Sequence, residues 1–155
     1  MFSKILLAFD GTPEGGEALI EAIELAQRLD ASVCLLSVAS LGDGGLVAQS
    51  AGGLDLLGIE EDHMHKVLDA GLAQARRAGL RATGTVSPGL RAATQITTFA
   101  RQIGADLIVL GHRDQGALAR LWNGSVGQHI VAHAPCSVLI AVARSARRMP
   151  APAAA

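Results

Sequence analysis

Apolar positions along the chain alternate between short, continuous runs and longer stretches in which they recur every three or four residues. The short runs predict β-strands over residues 4–9, 32–38, 80–86, 106–110 and 137–142. The periodic stretches predict amphipathic helices over residues 13–29, 60–78, 91–103 and 125–134. Strands that alternate with helices are typical of an α/β protein with a parallel sheet and helices on both faces.

The carboxyl ends of the predicted strands are where a ligand site is expected, because parallel sheets bind ligands where the strand order reverses. After the first strand come Asp10, Gly11 and Thr12. Thr12 can cap the first helix, and Pro13 suits its first position because the missing N–H needs no partner there. The loops after the first strand and after the fourth or fifth are therefore the places to look for function.

Two segments depart from this alternation. Residues 39–58 contain six glycines and are either a flexible insertion or a lid or contact surface. The second alternative would use the apolar side chains of Leu41, Leu46, Val47, Leu54, Leu56 and Leu57. Residues 144–155 carry three arginines followed by proline and alanine, and we expect a disordered tail there. The sequence thus predicts one domain over residues 1–143.

Composition narrows the function classes. The 155 residues are 50% hydrophobic and 17% charged, which excludes disorder of the whole chain. The formal net charge of −1 argues against nucleic acid as a partner, since binding a phosphate backbone needs a basic excess. An aromatic content of 3% also argues against a stacking platform for bases.

Residues 121–143 contain no charged side chain and are long enough to span a bilayer. Polar side chains such as His129 and His133 are costly in hydrocarbon, and Pro135 interrupts the run, so a membrane helix is not expected. Two cysteines without a recognisable secretory signal are typical of a reducing compartment. We therefore expect a soluble, cytoplasmic protein with no membrane partner.

The stretch after the fourth predicted strand carries the strongest candidate chemistry. It begins with Gly111 and ends with Gly124 and Ser125, where the last helix is predicted to start. Glycines let backbone N–H groups approach an anion, and a helix N-terminus adds unpaired donors. Arg113 and Arg120 can add positive charge. The alternative is an ordinary loop in which Ser125 caps the helix.

Signatures of catalysis and metal binding are weak. The sequence contains no Walker A run, no nucleophile elbow and no paired C-x-x-C motif, and no nucleophile–base pair can be assigned. The best metal-ligand spacing, His129 and His133 with Cys136 beyond them, lacks a carboxylate nearby in sequence. A binding or interaction protein is therefore favoured over an enzyme or a metalloprotein.

Four pieces of sequence, taken in order, resemble the universal stress protein family of UspA-like domains. They are residues 5–12 (ILLAFDGT), 105–113 (ADLIVLGHR), 124–126 (GSV) and 133–140 (HAPCSVLI). The resemblance implies a Rossmann-like α/β fold of the adenine nucleotide alpha hydrolase-like type, with five parallel strands in the order 3-2-1-4-5. It also implies a homodimer in which the edge strand from Ser137 to Val142 pairs with its partner.

Members of this family that bind ATP or AMP carry a glycine motif in the loop after the fourth strand. The motif reads Gly, two residues, Gly, nine residues, Gly, and then Ser or Thr. Gly111, Gly124 and Ser125 match it at the right distances. Asp114 occupies the second glycine position, which is a departure.

The resemblance places further residues at the nucleotide site. Asp10 matches the acid that binds ribose, and Val38 matches a residue whose backbone contacts adenine. We assign Ala8, Arg113 and Val126 to the same site. No residue is assigned a catalytic role or a role as a metal ligand.

Asp114 leaves the choice of nucleotide open. Its carboxylate would repel a phosphate about 5 Å away by about 3 kcal/mol at an effective dielectric of 20, before screening. This repulsion would weaken the binding of a triphosphate. Two arrangements would relieve it: a Mg²⁺ ion that bridges Asp114 and the phosphates, or a loop that turns at Gly116 and directs Asp114 to solvent.

We expect a stress-response protein that binds ATP or AMP, with or without Mg²⁺, as a regulatory module. If the protein has any enzymatic activity, we expect no more than slow ATP hydrolysis. The alternative is a dimeric interaction protein of the same fold that binds no nucleotide.

Overall fold

A computed structural model of the protein describes residues 1–41, 50, 52, 55–89, 91–111 and 125–142. Along these residues, strands and helices alternate as the hydrophobic pattern predicts. They are β1 (Lys4–Ala8), α1 (Pro13–Leu29), β2 (Ser32–Ala39), α2 (Leu56–Arg77), β3 (Ala82–Pro88), α3 (Ala92–Ile103), β4 (Leu107–Gly111), α4 (Ser125–His133) and β5 (Ser137–Ala141). Every predicted element is present, and most bounds differ from the prediction by two residues or fewer.

The strands form a five-stranded parallel sheet in the order β3-β2-β1-β4-β5. β1 pairs with β2 on one side and with β4 on the other, so that Leu7 lies opposite both Leu35 and Val109. β3 and β5 are the edge strands, paired with β2 and β4 respectively. The strand order therefore reverses at β1, and the predicted fold class and topology are confirmed.

Successive residues of β1 point to opposite faces of the sheet, and both faces are covered. Ile5, Leu7 and Phe9 are buried against α1 and α2, whereas Leu6 belongs to a second cluster beneath α3 and α4. This burial on two sides explains why the central strands are continuous apolar runs rather than alternating ones.

The start of α2 differs from the prediction. The helix begins at Leu56, four residues earlier than expected, because the Asp55 side chain caps it by accepting a hydrogen bond from Gly58 N at 2.9 Å. β2 also continues to Ala39. The connection between them is therefore shorter than the predicted segment 39–58.

Part of this connection, residues 42–49, 51, 53 and 54, lies outside the described residues. Its role as an insertion or as a contact surface stays a prediction. The tail over residues 144–155 also lies outside them, so its disorder stays a prediction too.

The uncharged run over residues 121–143 is divided between two elements. α4 ends at His133, and β5 begins at Ser137 after a short connection. Ile130 of α4 and Ala141 of β5 are almost completely buried, which accounts for their apolar character. No helix in the described part of the chain is long and apolar enough to cross a membrane.

Candidate functional site

The carboxyl edge of the sheet gathers several of the residues that the sequence assigns to a nucleotide site. Ala8 and Gly111 end β1 and β4, and Val38 is the last but one residue of β2. Asp10 follows β1 by two residues and is exposed. Because parallel strands end at the same edge, these residues lie around the point where the strand order reverses.

Asp10 is held by the start of α1. Its Oδ1 accepts hydrogen bonds from Thr12 N at 3.1 Å and from Thr12 Oγ1 at 2.6 Å. Thr12 Oγ1 also accepts a hydrogen bond from Gly15 N at 3.1 Å and so caps the helix, as predicted. Asp10 and the helix cap therefore form one network, which fixes the direction of the carboxylate.

Gly11 makes the turn between Asp10 and Thr12. Its φ of 73° lies in the left-handed region, which favours glycine. A Cβ atom at this position would also lie 2.9 Å from Cγ1 of Val67 on α2. The loop that carries Asp10 therefore packs closely against α2 and has no room for a side chain at Gly11.

The first turn of α1 lies between Asp10 and the end of β4. A Cβ atom on Gly15 would lie 2.6 Å from Asp10 Oδ1. A Cβ atom on Gly111 would lie 2.7 Å from Glu14 O and 3.2 Å from Gly15 N. Asp10 and Gly111 thus flank this turn, and Gly111 has a packing role that the glycine motif did not indicate.

Ser37 is a buried polar residue that the sequence analysis did not assign. Its side chain is fully buried, and its Oγ donates a hydrogen bond to Phe9 O at 2.7 Å. Phe9 N donates to Leu36 O at 2.9 Å, so both backbone groups of Phe9 are bonded to β2. The available signal was a hydroxyl within the apolar run that follows Ser32, because a buried hydroxyl needs a partner.

Val38 lies on the opposite face of β2 from Ser37 and is half-buried in the cluster beneath α3 and α4. It pairs in register with Ser87 of β3, whose Oγ donates to Gln95 Oε1 on α3 at 2.8 Å. Ser87 and Gln95 are therefore polar neighbours of the proposed adenine position. Neither could be found from the sequence, because their relation to Val38 arises only from strand pairing.

α4 begins at Ser125, followed by Val126, where the glycine–serine pattern predicts a helix start. Because α4 connects two parallel strands, it runs back across the sheet and its N-terminus lies toward the carboxyl edge. Ile130 anchors the helix in the cluster that it shares with α3. The other residues of the motif loop lie outside the described part of the chain: Arg113, Asp114, Gly116, Arg120 and Gly124.

At the amino edge of the sheet, side-chain hydrogen bonds join the segments that lead into β1 and β4. Asp106 accepts hydrogen bonds from Ser3 N and Ser3 Oγ, both at 2.8 Å, and from Lys4 N at 3.0 Å. Lys4 Nζ donates to Ile103 O at 2.8 Å. Desolvation raises the pKa of Asp106, but the hydrogen bonds from Ser3 and Lys4 outweigh it and hold the pKa below its ordinary value.

Both cysteines are free and half-buried. Burial raises the pKa of the Cys34 thiol, and burial together with the nearby Asp106 carboxylate raises the pKa of Cys136. At neutral pH both side chains are therefore thiols rather than thiolates, which makes them poor nucleophiles.

His129 and His133 stack on α4, with ring centroids 4.2 Å apart and an angle of 21° between the ring planes. His133 Nδ1 lies 2.9 Å from His129 O, and Arg101 of α3 donates a hydrogen bond to His133 O. Among the residues that the structure describes, no group of three or more His, Cys, Asp and Glu side chains is arranged to hold a metal ion. These contacts hold the C-terminal end of α4 against α3, which is a structural role.

Comparison with known proteins identifies the family. Residues 1–141 match the sequence profile of the Universal stress protein family. The chain belongs to this family. A putative universal stress protein from Staphylococcus epidermidis is 32% identical over 142 residues, which cover 90% of this chain and 83% of that protein. A structure from the universal stress protein family of Burkholderia pseudomallei has 29% identity and a TM-score of 0.71, and the match covers 90% of this chain and 95% of that chain.

Two more distant structures share the fold and contain a nucleotide. A universal stress protein family protein from Arabidopsis thaliana with AMP bound has 15% identity and a TM-score of 0.65, with 99% of each chain covered. The universal stress protein from Archaeoglobus fulgidus in complex with dAMP has 18% identity and a TM-score of 0.62, covering 90% of this chain and 97% of that chain. At these identities the likeness shows the fold, which is the adenine nucleotide alpha hydrolase-like fold that the resemblance implied.

Proposed function

We propose that this chain binds an adenine nucleotide at the carboxyl edge of its sheet and serves as a regulatory module of the stress response. The observation that carries the proposal is the Asp10 carboxylate, which Thr12 holds where the strand order reverses. An ionised carboxylate accepts strong hydrogen bonds from hydroxyls, and a ribose offers two that are adjacent. Because this carboxylate is already held in place, it loses little conformational freedom on binding.

The two helices that begin near this edge differ in how well they can bind an anion. α1 is capped by Thr12, lacks one N–H at Pro13 and has the negative charge of Asp10 beside its first turn. α4 begins at Ser125 directly after a glycine, and its first N–H groups suit a phosphate better. We therefore place the ribose at Asp10 and the phosphates toward Ser125, with Arg113 as a further positive charge.

The backbone at the end of β2 is the place that we propose for adenine. Val38 is half-buried there, and the neighbouring Ala8 at the end of β1 is also aliphatic. A backbone N–H and C=O can pair with the hydrogen-bonding edge of adenine. With an aromatic content of 3%, the site would hold the base by backbone and aliphatic contacts rather than by a stacking ring.

The AMP and dAMP complexes of two proteins with this fold support a nucleoside monophosphate as the first ligand to test. ATP remains part of the proposal, because a Mg²⁺ ion can bridge Asp114 and the additional phosphates. The Asp114→Gly variant tests whether Asp114 weakens the binding of ATP relative to that of AMP. It should tighten ATP more than AMP, since ATP brings more negative charge to the loop, and an equal effect on both would argue against charge repulsion.

β5 supports a homodimer as the assembled state. It is an edge strand on which Val138, Leu139 and Ile140 are half-buried, whereas Thr83 on the opposite edge strand β3 is polar and exposed. An apolar strand edge needs to be covered. We therefore place the dimer contact along the strand from Ser137 to Val142, and the two free thiols support a cytoplasmic location.

Isothermal titration calorimetry with AMP, ADP and ATP, each with and without Mg²⁺, tests the proposal. We expect saturable heat for at least one nucleotide and a weaker response from Asp10→Asn, which removes the charge but keeps the shape. Asp69→Asn on the exposed side of α2 is the matched control. If millimolar nucleotide gives neither heat nor a thermal shift, the proposal is wrong and the dimeric interaction protein takes its place.

A further inference from the structure

We infer that Ser37 is a positioning residue of the nucleotide site, which holds Asp10 for the ribose by fixing the backbone of Phe9. The inference rests on the proposed function and adds a residue that does not itself touch the nucleotide. Among the described residues, the buried polar side chains are Ser37 and Thr97. The hydroxyl of Thr97 is bonded within its own helix, to Ala93 O at 3.1 Å, whereas that of Ser37 reaches across to another strand.

The Ser37 hydrogen bond lies where β1 leaves the sheet. Phe9 N makes a backbone bond to Leu36 O at 2.9 Å, and Phe9 O then accepts from the Ser37 side chain at 2.7 Å. The carbonyl of Phe9 and the N–H of Asp10 belong to the same planar peptide unit. A hydrogen bond that holds the oxygen of this peptide unit therefore also fixes the direction of the Asp10 N–H and the position of the Asp10 backbone.

The ring of Phe9 is held as firmly as its backbone. Its side chain is 8% exposed, and it packs against two helices at positions where a side chain is missing. A Cβ atom on Gly71 of α2 would lie 2.7 Å from Phe9 Cε1, and one on Gly15 of α1 would lie 3.6 Å from Phe9 Cδ2. Asp10 is thus placed between two anchors, Phe9 with Ser37 before it and the Thr12 cap after it.

This arrangement makes the effect of Ser37 specific to one part of the ligand. A binding group must be held within about 0.5 Å of its productive position to work well, and Ser37 supplies that constraint for Asp10. The phosphates are proposed to contact α4, whereas Ser37 donates its hydrogen bond to Phe9, directly after β1. Removing the hydroxyl should therefore weaken contacts with the ribose hydroxyls and spare the rest of the nucleotide.

The test compares AMP with 2′,3′-dideoxyadenosine monophosphate, which lacks both ribose hydroxyls, on wild type and Ser37→Ala. We expect the affinity of Ser37→Ala for AMP to fall by about 3- to 10-fold, the scale of one hydrogen bond. Its affinity for the dideoxy nucleotide should stay within about twofold of wild type. Thr97→Val, which removes the other buried hydroxyl, is the matched control and should leave both affinities unchanged.

Ser37→Thr keeps the hydroxyl and should restore the affinity for AMP. Amide hydrogen exchange at Thr12, whose N–H donates to Asp10 Oδ1, reports the same effect without any nucleotide. It should be faster in Ser37→Ala and unchanged in Thr97→Val. If Ser37→Ala does not fold, Ser37→Cys, with its weaker S–H donor, replaces it in every comparison.

Two results would overturn the inference while leaving the proposed function intact. One is an equal loss of affinity for AMP and for the dideoxy nucleotide, and the other is a folded Ser37→Ala that binds AMP as wild type does. A wild-type protein that binds neither nucleotide would instead overturn the proposed function. In that case, an unchanged exchange rate at Thr12 in Ser37→Ala would also show that Ser37 does not position Asp10.

Discussion

At the amino end of the sheet, the Asp106 carboxylate accepts hydrogen bonds from the N–H and the hydroxyl of Ser3 and from the N–H of Lys4. At the carboxyl end, glycines bring the backbone of α1, the end of β4 and the Asp10 carboxylate into close approach. The first arrangement ties strands together, and the second packs backbone closely beside a fixed charge. Substitutions at the amino end should therefore change stability alone, whereas those at the carboxyl end should also change binding.

The largest effect should come from Gly111→Ala at the carboxyl end. The new Cβ would lie 2.7 Å from Glu14 O, a backbone atom that cannot rotate away. We expect a loss of about 2–4 kcal/mol in the free energy of unfolding, measured by urea denaturation. Gly16→Ala is the control, because a Cβ there meets nothing within 4 Å and should stabilise the helix by about 0.5–1 kcal/mol. A Gly111→Ala protein as stable as wild type would contradict the close approach.

Asp106→Asn should have the next largest effect, and at the amino end. Because this carboxylate is only half-buried, we expect a loss of only about 1 kcal/mol at pH 7, with nucleotide affinity unchanged. The folded-state pKa lies below the ordinary value, so the stabilisation is complete above about pH 5 and is lost as the pH falls through the lowered pKa.

Urea denaturation of wild type and Asp106→Asn between pH 7 and pH 3 measures this dependence. The difference between the two proteins should shrink toward the acid end. Asp62→Asn, on the exposed side of α2, is the control. A difference that stays constant over this range would mean that the charge of Asp106 does not stabilise the amino end.

Gly15→Ala should change binding more than stability. A Cβ atom would lie 2.6 Å from Asp10 Oδ1, and a side-chain oxygen can move where a backbone atom cannot. We expect the unfolding free energy to change by less than about 1 kcal/mol and the affinity for AMP to fall by about 5- to 10-fold. Calorimetry on Gly15→Ala beside Gly16→Ala makes this comparison at neighbouring positions. If both variants bind AMP with equal affinity, the position of Asp10 does not affect nucleotide binding.

The smallest effect should be seen at the thiols. Burial raises the pKa of Cys34 and of Cys136, so a thiol reagent should label the native protein at pH 7 far more slowly than the urea-unfolded protein. The labelling rate of the native protein should rise only at a pH above the ordinary thiol pKa, because the pKa of each thiol is raised. Fast labelling of the native protein at pH 7 would show that the region around these thiols opens readily.

Much of the fold could be predicted because β1 and β4 are buried on two faces, which demands continuous apolar runs that differ from helical periodicity. Asp10 could be placed at a strand end because it directly follows such a run, and its role at the site was assigned from the resemblance to the family. The start of α2 was misplaced because Leu56 and Leu57 follow a glycine-rich stretch, and the Asp55 cap was not recognised.

Other parts of the site could not be predicted in this way. The partner of Ser37 is 28 residues away in sequence, and the neighbours of Gly15 and Gly111 come from different elements. Such contacts leave no periodic pattern in the chain. Arg113, Asp114 and Gly124 lie outside the described residues, so their roles stay predictions.

The sequence by itself determined the order of strands and helices, the Thr12 cap and the family, because these depend on neighbouring residues and on local patterns. Only the tertiary structure decided that α1 crosses the end of β4 at Gly111 and that Ser37 supports the backbone beside Asp10. The physical reason is that close packing and buried hydrogen bonds join residues that are distant along the chain. A glycine or a serine therefore acquires its role only when its neighbours are in place.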